Sequence, residues 1–302
     1  MIVNGARDDS GGSALSFGGS SLRDTQAGLR SLLRLLLMDA DGVVPWSDLS
    51  RLRDVQYRTE ANLAARQSIY AYQHPQVSLP AASLDLASLR GDETVADVGC
   101  GNGAYLAELG RRGHRGPVLG VDFSVGMLAA ARRRAPAAGL VAGDAAALPL
   151  RDEAADVALA MHMLYHVPDP SAGVRELRRV TRDGGQVLVV LNDDDHLREL
   201  RQEVTAALRD SFGIDRQVPF ERLRIEEGAE LLAAEFRRVR RVDFIGELRV
   251  PARCPIEDYV RSTLVAQELP DPGELATAVT SRIAWDGEPF RIRTHCGCLV
   301  CT

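Results

Sequence analysis

Short apolar runs alternate with helix-length segments through the middle of this 302-residue chain. The apolar runs occupy residues 95–98, 118–121, 139–142, 157–160 and 186–191, and helix candidates occupy 103–112, 124–134 and 171–181. Alternating β and α elements build a parallel sheet with helices on both faces, joined by right-handed crossovers. Two later apolar runs, at 239–250 and 290–300, add strands. We therefore predict an α/β fold with a doubly wound, mostly parallel seven-stranded sheet.

The segments outside this alternation predict the domain organisation. Residues 1–21 are rich in Gly and Ser without an apolar period, which predicts a disordered tail. Residues 22–90 carry helical periodicity and are predicted to form an N-terminal helical cap. Residues 91–302 are predicted to form the main domain, with helical segments at about 193–235 and 255–279. Ligands of such sheets bind beyond the carboxyl ends of the strands, so we expect these segments and the cap to form a lid there.

Composition excludes several classes of function. The 42 acidic residues outnumber the 36 basic ones, and the net charge of −6 has the wrong sign for binding a phosphate backbone. The sequence contains no lysine, which excludes Schiff-base enzymes and P-loop kinases. The apolar run at 32–38 is interrupted by Arg34 and is far shorter than the about 20 residues that cross a membrane. We expect a small-molecule substrate and neither a nucleic-acid nor a membrane partner.

The five cysteines and the acidic run at 193–195 raise the question of a metal site. An odd cysteine count without a recognisable signal peptide favours a reducing cytoplasm. Strand alternation places Cys296 and Cys298 on one face and Cys301 on the other, so we predict buried apolar side chains rather than a zinc site. Consecutive acids cannot all face one ion, and the run fits a solvated helix start better than a magnesium site. We expect no metal.

A glycine-rich turn follows the first predicted strand, in the run Asp97-Val-Gly99-Cys-Gly101-Asn-Gly103. Its glycines let the backbone bend tightly and let a ligand approach the N–H groups of a helix N-terminus. The spacing also fits the dinucleotide fingerprint. Two further acids refine the prediction: Asp122 ends the second strand, where it can accept hydrogen bonds from ribose hydroxyls, and Asp144 ends the third, where it can meet an adenine amino group. Acids at three successive strand ends predict a nucleoside site.

With the neighbouring segments 120–128, 143–149, 163–170 and 176–185, these motifs resemble the class I S-adenosylmethionine-dependent methyltransferases of the small-molecule type. The resemblance is dense over about residues 94–192 and implies S-adenosylmethionine as the cofactor. It further implies that the methionine moiety lies beside Gly99, Gly101 and Gly103, with its ammonium near Asp97. Asp122 is then expected to hold the ribose, Phe123 and Met127 to flank the adenine, and Asp144 and Ala145 to contact the adenine edge. Met161 and His162 are expected to line the cofactor beside the substrate.

Two histidines follow the fourth strand, beside the expected position of the methyl group. A neutral imidazole is a natural general base near pH 7, so His162 and His166 are the catalytic candidates. The alternative for both is a role in packing and cofactor contact. In the cap, Tyr57, Arg58 and Arg66 are candidates for closing over the methionine end, against a plain packing helix.

The expected reaction is in-line transfer of the sulfonium methyl group to an N, O, S or C nucleophile of a small acceptor. Alignment in a water-poor pocket can supply roughly 7–11 kcal/mol of the barrier. Two alternatives stay open: another reaction of the same cofactor, such as intramolecular alkylation or rearrangement, and a non-catalytic binding module. An NAD oxidoreductase fits less well, because its usual Tyr-x-x-x-Lys pair requires a lysine. The acceptor, the atom methylated and the oligomeric state stay open.

Overall fold

Eight strands form one sheet in the computed structural model, which describes residues 49–215 and 223–302. The strands are β1 (Gln73–His74), β2 (Val95–Val98), β3 (Val118–Asp122), β4 (Gly139–Ala142), β5 (Ala155–Met161), β6 (Thr181–Asn192), β7 (Val239–Val250) and β8 (Phe290–Cys301). The helices are α1 (Leu49–Arg51, continued by a π-helical turn Leu52–Gln56), α2 (Ala61–Ser68, continued by a 3-10 turn Ile69–Tyr72), α3 (Leu79–Leu84), α4 (Ala104–Arg111), α5 (Val125–Arg134), α6 (Pro170–Val180), α7 (Arg198–Phe212), α8 (Ile225–Glu235), α9 (Arg253–Arg261), α10 (Leu264–Gln267) and α11 (Pro272–Arg282), with a 3-10 turn Leu164–His166 before α6.

The strand order is β1-β7-β8-β6-β5-β2-β3-β4. The five strands from β6 to β4 are parallel, whereas β8, β7 and β1 join antiparallel. The chain runs outward from β2 to β4 and then returns to β5 on the other side of β2. This reversal opens a crevice at the carboxyl ends of β2 and β5, the position at which doubly wound sheets bind ligands.

The centre of the sheet is covered on both faces. Residues 158–160 of β5 and 187–191 of β6 are fully buried. A parallel strand with both faces buried is an unbroken apolar run, which is why these strands stand out in the sequence. The helix α6 packs Val174 and Leu177 into this core, and Asp169 caps it by accepting a hydrogen bond from the Ser171 N–H.

A second apolar core lies at one end of the sheet. Its fully buried members include Ile69 after α2, Leu200 of α7, Leu248 of β7, Ile256 of α9 and Leu275 of α11. The turn that continues α2 and the helices α7, α9 and α11 therefore share one core with the strand β7.

The helix α8 falls within the segment 193–235, which is predicted to form part of a lid, but it packs against the sheet. Its Ile225 and Leu232 are fully buried in the main core with Leu191 and Leu299. A Cβ at Gly228 would come within 2.3 Å of Leu191, so the helix lies directly on the sheet. Within the predicted lid segment 193–235, α8 therefore covers a face of the sheet.

The predicted α/β, doubly wound, mostly parallel sheet is confirmed, but the count of seven strands was wrong by one. The additional strand is β1, in which Gln73 and His74 pair with Leu248 and Glu247 at the edge of β7. Two residues are too few to show a period of two, so no sequence pattern indicates this strand. The predicted tail at 1–21 lies outside the described residues. No helix within 49–215 and 223–302 has the length and hydropathy needed to cross a membrane.

Candidate functional site

A cavity of about 550 Å³ opens at the carboxyl ends of the parallel strands. Its floor comes from Met127 of α5 and from the strand ends and the turns that follow them, namely Asp97, Gly99, Gly101, Asp122, Phe123, Asp144, Ala145, Met161, His162 and Asn192. Its roof includes residues of α1 to α3, α9 and α10, such as Tyr57, Leu63, Arg66, Tyr70, Leu79, Tyr259 and Leu264. The structure therefore brings predicted site residues from four separate strand ends to one space.

The glycine turn after β2 lies between floor and roof and needs glycine for steric reasons. Gly99 has a φ of +68°, and a Cβ there would come within 2.7 Å of the Met163 Cβ. Gly103, with a φ of +77°, starts α4 and faces Ala131 of α5, where a Cβ would approach to 3.0 Å. Gly99 and Gly101 border the cavity, whereas Gly103 brings two helices close together behind it.

Asp97 presents a buried carboxylate without a partner. Its side chain is 1% exposed, and neither carboxylate oxygen has a hydrogen-bond partner among the described residues. Burial, with a smaller contribution from the nearby Asp122 charge, raises the pKa of Asp97 to about 8. An unpaired buried carboxylate is costly unless a cation or a donor meets it. The floor of the cavity therefore favours a ligand that carries a positive group at this point.

Asp122 holds the glycine turn in place. Its Oδ2 accepts a hydrogen bond from the Gly101 N–H at 2.8 Å, and its Oδ1 accepts one from the Ser124 N–H at 2.8 Å. Burial raises the pKa of Asp122, while these two hydrogen bonds act in the opposite direction. A carboxylate has about four acceptor positions, so each oxygen retains capacity for a ligand hydroxyl.

The remaining predicted nucleoside contacts lie beyond Asp122. Phe123 and Met127 border the cavity, and Met127 is 1% exposed. Asp144 is exposed at the rim, where its Oδ1 accepts a hydrogen bond from the Ala146 N–H at 2.9 Å, and Ala145 lies beside it. A flat ligand group between Phe123 and Asp144 would meet an apolar surface and one carboxylate.

The two candidate histidines lie in the same wall but differ in environment. His162 has a φ of +55°, in the left-handed region that is unusual for a non-glycine residue. Burial lowers the pKa of His162 to about 4, so its imidazole is neutral near pH 7. His166 Nε2 lies 2.9 Å from the Tyr57 hydroxyl, and the two rings meet edge to face.

The roof is tied to the floor by side chains of the cap. The Asn102 amide donates a hydrogen bond to the Gln67 Oε1 at 3.0 Å, and the Ser124 hydroxyl donates one to the Tyr57 carbonyl at 2.6 Å. Arg66 donates to the Ser262 carbonyl at 2.7 Å and lies over the Tyr57 ring. Of the predicted closing residues, Tyr57 and Arg66 border the cavity.

Sequence reasoning missed the wall residues Gln67, Tyr70, Phe244 and Thr294. They come from α2 and from the antiparallel strands β7 and β8, which are distant in sequence from the glycine turn and reach the cavity only in the folded chain. Tyr70, for example, lies 2.9 Å from a histidine 126 positions away. No motif or spacing signals such a pair.

Two of the three consecutive aspartates converge after β6. Ligand atoms of Asp193, Asp195 and His295 lie within 4.8 Å of one another. Asp193 pairs with Arg241 at 2.8 Å, and Asp195 pairs with Arg293 at 2.7 Å. The arrangement is an ion-pair network in which arginines already balance the carboxylates.

The C-terminal cysteines follow the predicted alternation. Cys296 and Cys298 belong to one apolar cluster and Cys301 to another on the other side of the sheet. All three thiols are buried and none forms a disulfide, and burial raises the pKa of Cys298 and of Cys301 to about 12. The prediction of buried apolar side chains is confirmed.

Comparisons with known proteins match this part of the chain. A family model described as a methyltransferase domain matches residues 96–189. A demethylmenaquinone methyltransferase of Beutenbergia cavernae is 40% identical over 108 residues, which are 36% of this chain and 44% of that protein. An uncharacterized 37.1 kDa protein in a transposon of Streptomyces fradiae is 38% identical over 124 residues, which are 40% of this chain and 36% of that protein. The chain thus spans less than half the length of these relatives.

The fold is shared with solved structures. The YcgJ protein of Bacillus subtilis superimposes with a TM-score of 0.52 at 17% identity, over 73% of this chain and 96% of that one. At this identity the likeness concerns the fold alone.

Proposed function

Because residues 96–189 match a family model described as a methyltransferase domain, we propose that this protein is a class I, S-adenosylmethionine-dependent methyltransferase that transfers a methyl group to a small-molecule acceptor by in-line displacement. The observation that carries the proposal is the cavity beside the glycine turn, with the unpaired carboxylate of Asp97 in its floor. A sulfonium nucleoside that also bears an ammonium group supplies the positive charge that this carboxylate lacks. When bound, S-adenosylmethionine supplies a methyl group on a good leaving group, a positively charged sulfur.

The residues proposed to hold the cofactor divide by chemistry. Asp97 would pair with the ammonium, with Gly99 and Gly101 leaving room for the methionine moiety and Gly103 shaping the turn. Asp122 would accept the ribose hydroxyls while it keeps the turn closed. Phe123 and Met127 would flank the adenine, Asp144 and Ala145 would read its edge, and Met161 would lie beside the sulfur.

The proposed roles of the histidines follow from their environments. A general base works best when its pKa lies near the operating pH. His162, whose pKa is lowered to about 4, holds a proton too weakly for that task near pH 7 and is suited to orienting the acceptor as a neutral imidazole. His166, bonded to Tyr57 at 2.9 Å, is the better candidate for receiving a proton from an acceptor of high pKa.

The acceptor is proposed to be a small molecule and not a nucleic acid. The relative from Beutenbergia cavernae is named for a small-molecule acceptor, demethylmenaquinone. The net charge of −6 does not favour a polyanion. The absence of a disulfide among the five cysteines supports the cytoplasm as the proposed location.

Methyl-labelled S-adenosylmethionine tests the proposal directly. The full-length protein is incubated with the labelled cofactor and a metabolite extract of the organism that encodes it. We expect S-adenosylhomocysteine and one labelled small molecule in equal amounts. Methylthioadenosine in place of S-adenosylhomocysteine would identify intramolecular alkylation, and no turnover despite binding would identify a binding module.

A further inference from the structure

The roof of the cavity carries an arginine that no acid of the wall balances. Arg66 is the sole arginine among the described wall residues, whereas the three wall aspartates all lie in the floor. Its guanidinium donates to the Ser262 carbonyl at 2.7 Å and lies 5.5 Å from the centre of the Tyr57 ring. Neither of these groups is an anion, so the positive charge stays uncompensated in a mainly apolar wall. Such a charge favours a ligand that brings a counter-ion.

The place of Arg66 on α2 separates it from the glycine turn. Gln67 binds Asn102 of that turn at 3.0 Å. Successive side chains of a helix point about 100° apart, and the contacts of Arg66 accordingly lie elsewhere, at Ser262 and Tyr57. Tyr57 in turn lies 2.9 Å from His166, the side chain proposed to receive a proton from the acceptor. Arg66 therefore belongs to the acceptor side of the cavity.

Gln56 places a buried hydrogen-bond acceptor beside this cation. The side chain is 3% exposed, borders the cavity, and donates through Nε2 to the same Ser262 carbonyl at 3.1 Å. Its Oε1 is buried and has no hydrogen-bond partner among the described residues. The amide cannot be turned round, because Oε1 would then meet the carbonyl oxygen. Since both side chains bind one carbonyl, the charge of Arg66 and the open acceptor of Gln56 lie side by side.

The balance of charge favours a carboxylate over a phosphate. A carboxylate carries one negative charge and matches the planar fork of a guanidinium. A phosphate monoester carries about −1.5 to −2 charges at pH 7. The described wall offers no second arginine for the additional charge, and its acids would repel it.

We propose that the methyl acceptor is a small carboxylic acid with a neighbouring hydroxyl or N–H group. Arg66 binds the carboxylate, and the Gln56 Oε1 accepts a hydrogen bond from the neighbouring donor. The proposal rests on the proposed function, because it takes the space beside the glycine turn to be filled by the nucleoside.

Three probes of one shape separate the two contacts. Indole-2-carboxylate carries the anion and an adjacent N–H, 1-benzofuran-2-carboxylate lacks the N–H, and 2-acetylindole lacks the charge. The full-length protein is saturated with S-adenosylhomocysteine, and calorimetry measures the affinity for each probe. We expect indole-2-carboxylate to bind about ten- to hundredfold more tightly than 2-acetylindole and about two- to tenfold more tightly than the benzofuran, the factors of a charged and of a neutral hydrogen bond.

Variants of the two side chains give opposite signatures for charge and for structure. Arg66→Met should weaken both carboxylates about ten- to hundredfold and leave 2-acetylindole unchanged. Gln56→Glu places a carboxylate beside Arg66, so it should also weaken both carboxylates while it still accepts the N–H of 2-acetylindole. Arg53→Met, at an exposed position of the preceding turn, is the matched control and should change none of the three affinities. Unchanged S-adenosylhomocysteine affinity verifies that each variant is folded.

Several results would overturn the proposal. They are failure of all three probes to bind, equal affinities for the three, and equal losses for charged and neutral probes in Arg66→Met. Weaker binding of S-adenosylhomocysteine to Arg66→Met, with adenosine binding unchanged, would assign Arg66 to the methionine carboxylate and would overturn it as well. Failure of S-adenosylhomocysteine to bind the wild type would instead contradict the proposed function.

Discussion

Asp97 is the residue whose environment is least explained by folding alone. Its carboxylate is buried, has no partner among residues 49–215 and 223–302, and has a pKa raised to about 8. Natural cores rarely retain such a group, because an unsatisfied buried polar group costs about 1–3 kcal/mol. The position is understandable if a ligand supplies the missing cation.

Asp97→Asn should therefore weaken binding of S-adenosylhomocysteine by about 1.5–3 kcal/mol, the range for a charged hydrogen bond. Adenosine lacks the ammonium group, so its affinity should stay unchanged in this variant. Calorimetry with both ligands measures the difference, and the exposed Asp286→Asn serves as the matched control. Equal weakening of both ligands would place Asp97 elsewhere than beside the ammonium.

Asp122→Ala is expected to weaken the binding of both ligands, unlike Asp97→Asn. Adenosine and S-adenosylhomocysteine share the ribose, so both should lose about 1.5–3 kcal/mol of binding free energy. The variant also loses the hydrogen bonds to the Gly101 and Ser124 N–H groups, which adds to the effect on both ligands. Unchanged affinity for adenosine in this titration would refute the ribose assignment.

Among the structural elements, the glycine turn makes the strictest demand on the sequence. In Gly99→Ala the alanine backbone would have to adopt a φ of +68°, and its Cβ would lie within 2.7 Å of Met163. Gly213→Ala, at a φ of +67° after α7, has open space around its Cβ. We expect about 1–2 kcal/mol of destabilisation for Gly213→Ala from the backbone alone, and about 1–3 kcal/mol more for Gly99→Ala from overpacking.

Urea unfolding of the two variants measures this difference. Because the φ angles agree within a degree or so, the difference isolates the collision with Met163. Equal free energies of unfolding would mean that the turn relaxes, and the close packing of Gly99 would then have no role in holding the site.

The elements also show what a sequence can and cannot predict. The strand at 95–98 coincides with β2, because a parallel strand buried on both faces has an unmistakable composition. The strand β6 begins at Thr181 and not at 186, since Thr181 pairs with Ala155 beyond an irregularity in the ladder. The roof side chain Tyr70 meets His196 only through a tertiary contact, which local patterns do not encode.

At the scale of the whole molecule, buried titratable groups act on stability in opposite directions. The pKa values of His162 and His196 are lowered from 6.5 to about 4 and about 3. The unfolded chain then binds more protons, and stability is lost as the pH falls below about 6.5. The pKa of Asp97 is raised from 3.8 to about 8, so the folded chain binds more protons and stability is lost as the pH rises through this interval.

We therefore expect the ligand-free Asp97→Asn variant to gain stability over the wild type as the pH rises from about 4 to about 8. His196→Gln should instead gain stability relative to the wild type as the pH falls below about 6.5, because the variant has no imidazole to protonate. Urea unfolding at a series of pH values tests both. If the free energy of unfolding of each variant differed from that of the wild type by the same amount at every pH, the assigned pKa shifts of Asp97 and His196 would be contradicted.

The hydrogen bonds from Asn102 to Gln67 and from Ser124 to the Tyr57 carbonyl connect a short segment of the predicted cap to the loops after β2 and β3, which frame the proposed nucleoside site. The same segment continues, within one helix, to Tyr70 at the opposite end. Gln67 and Tyr70 lie on one continuous helical segment, so a movement that breaks the bond to Asn102 would displace both side chains. If the proposed nucleoside enters past this segment, its arrival also reshapes the part of the cavity wall that Tyr70 forms.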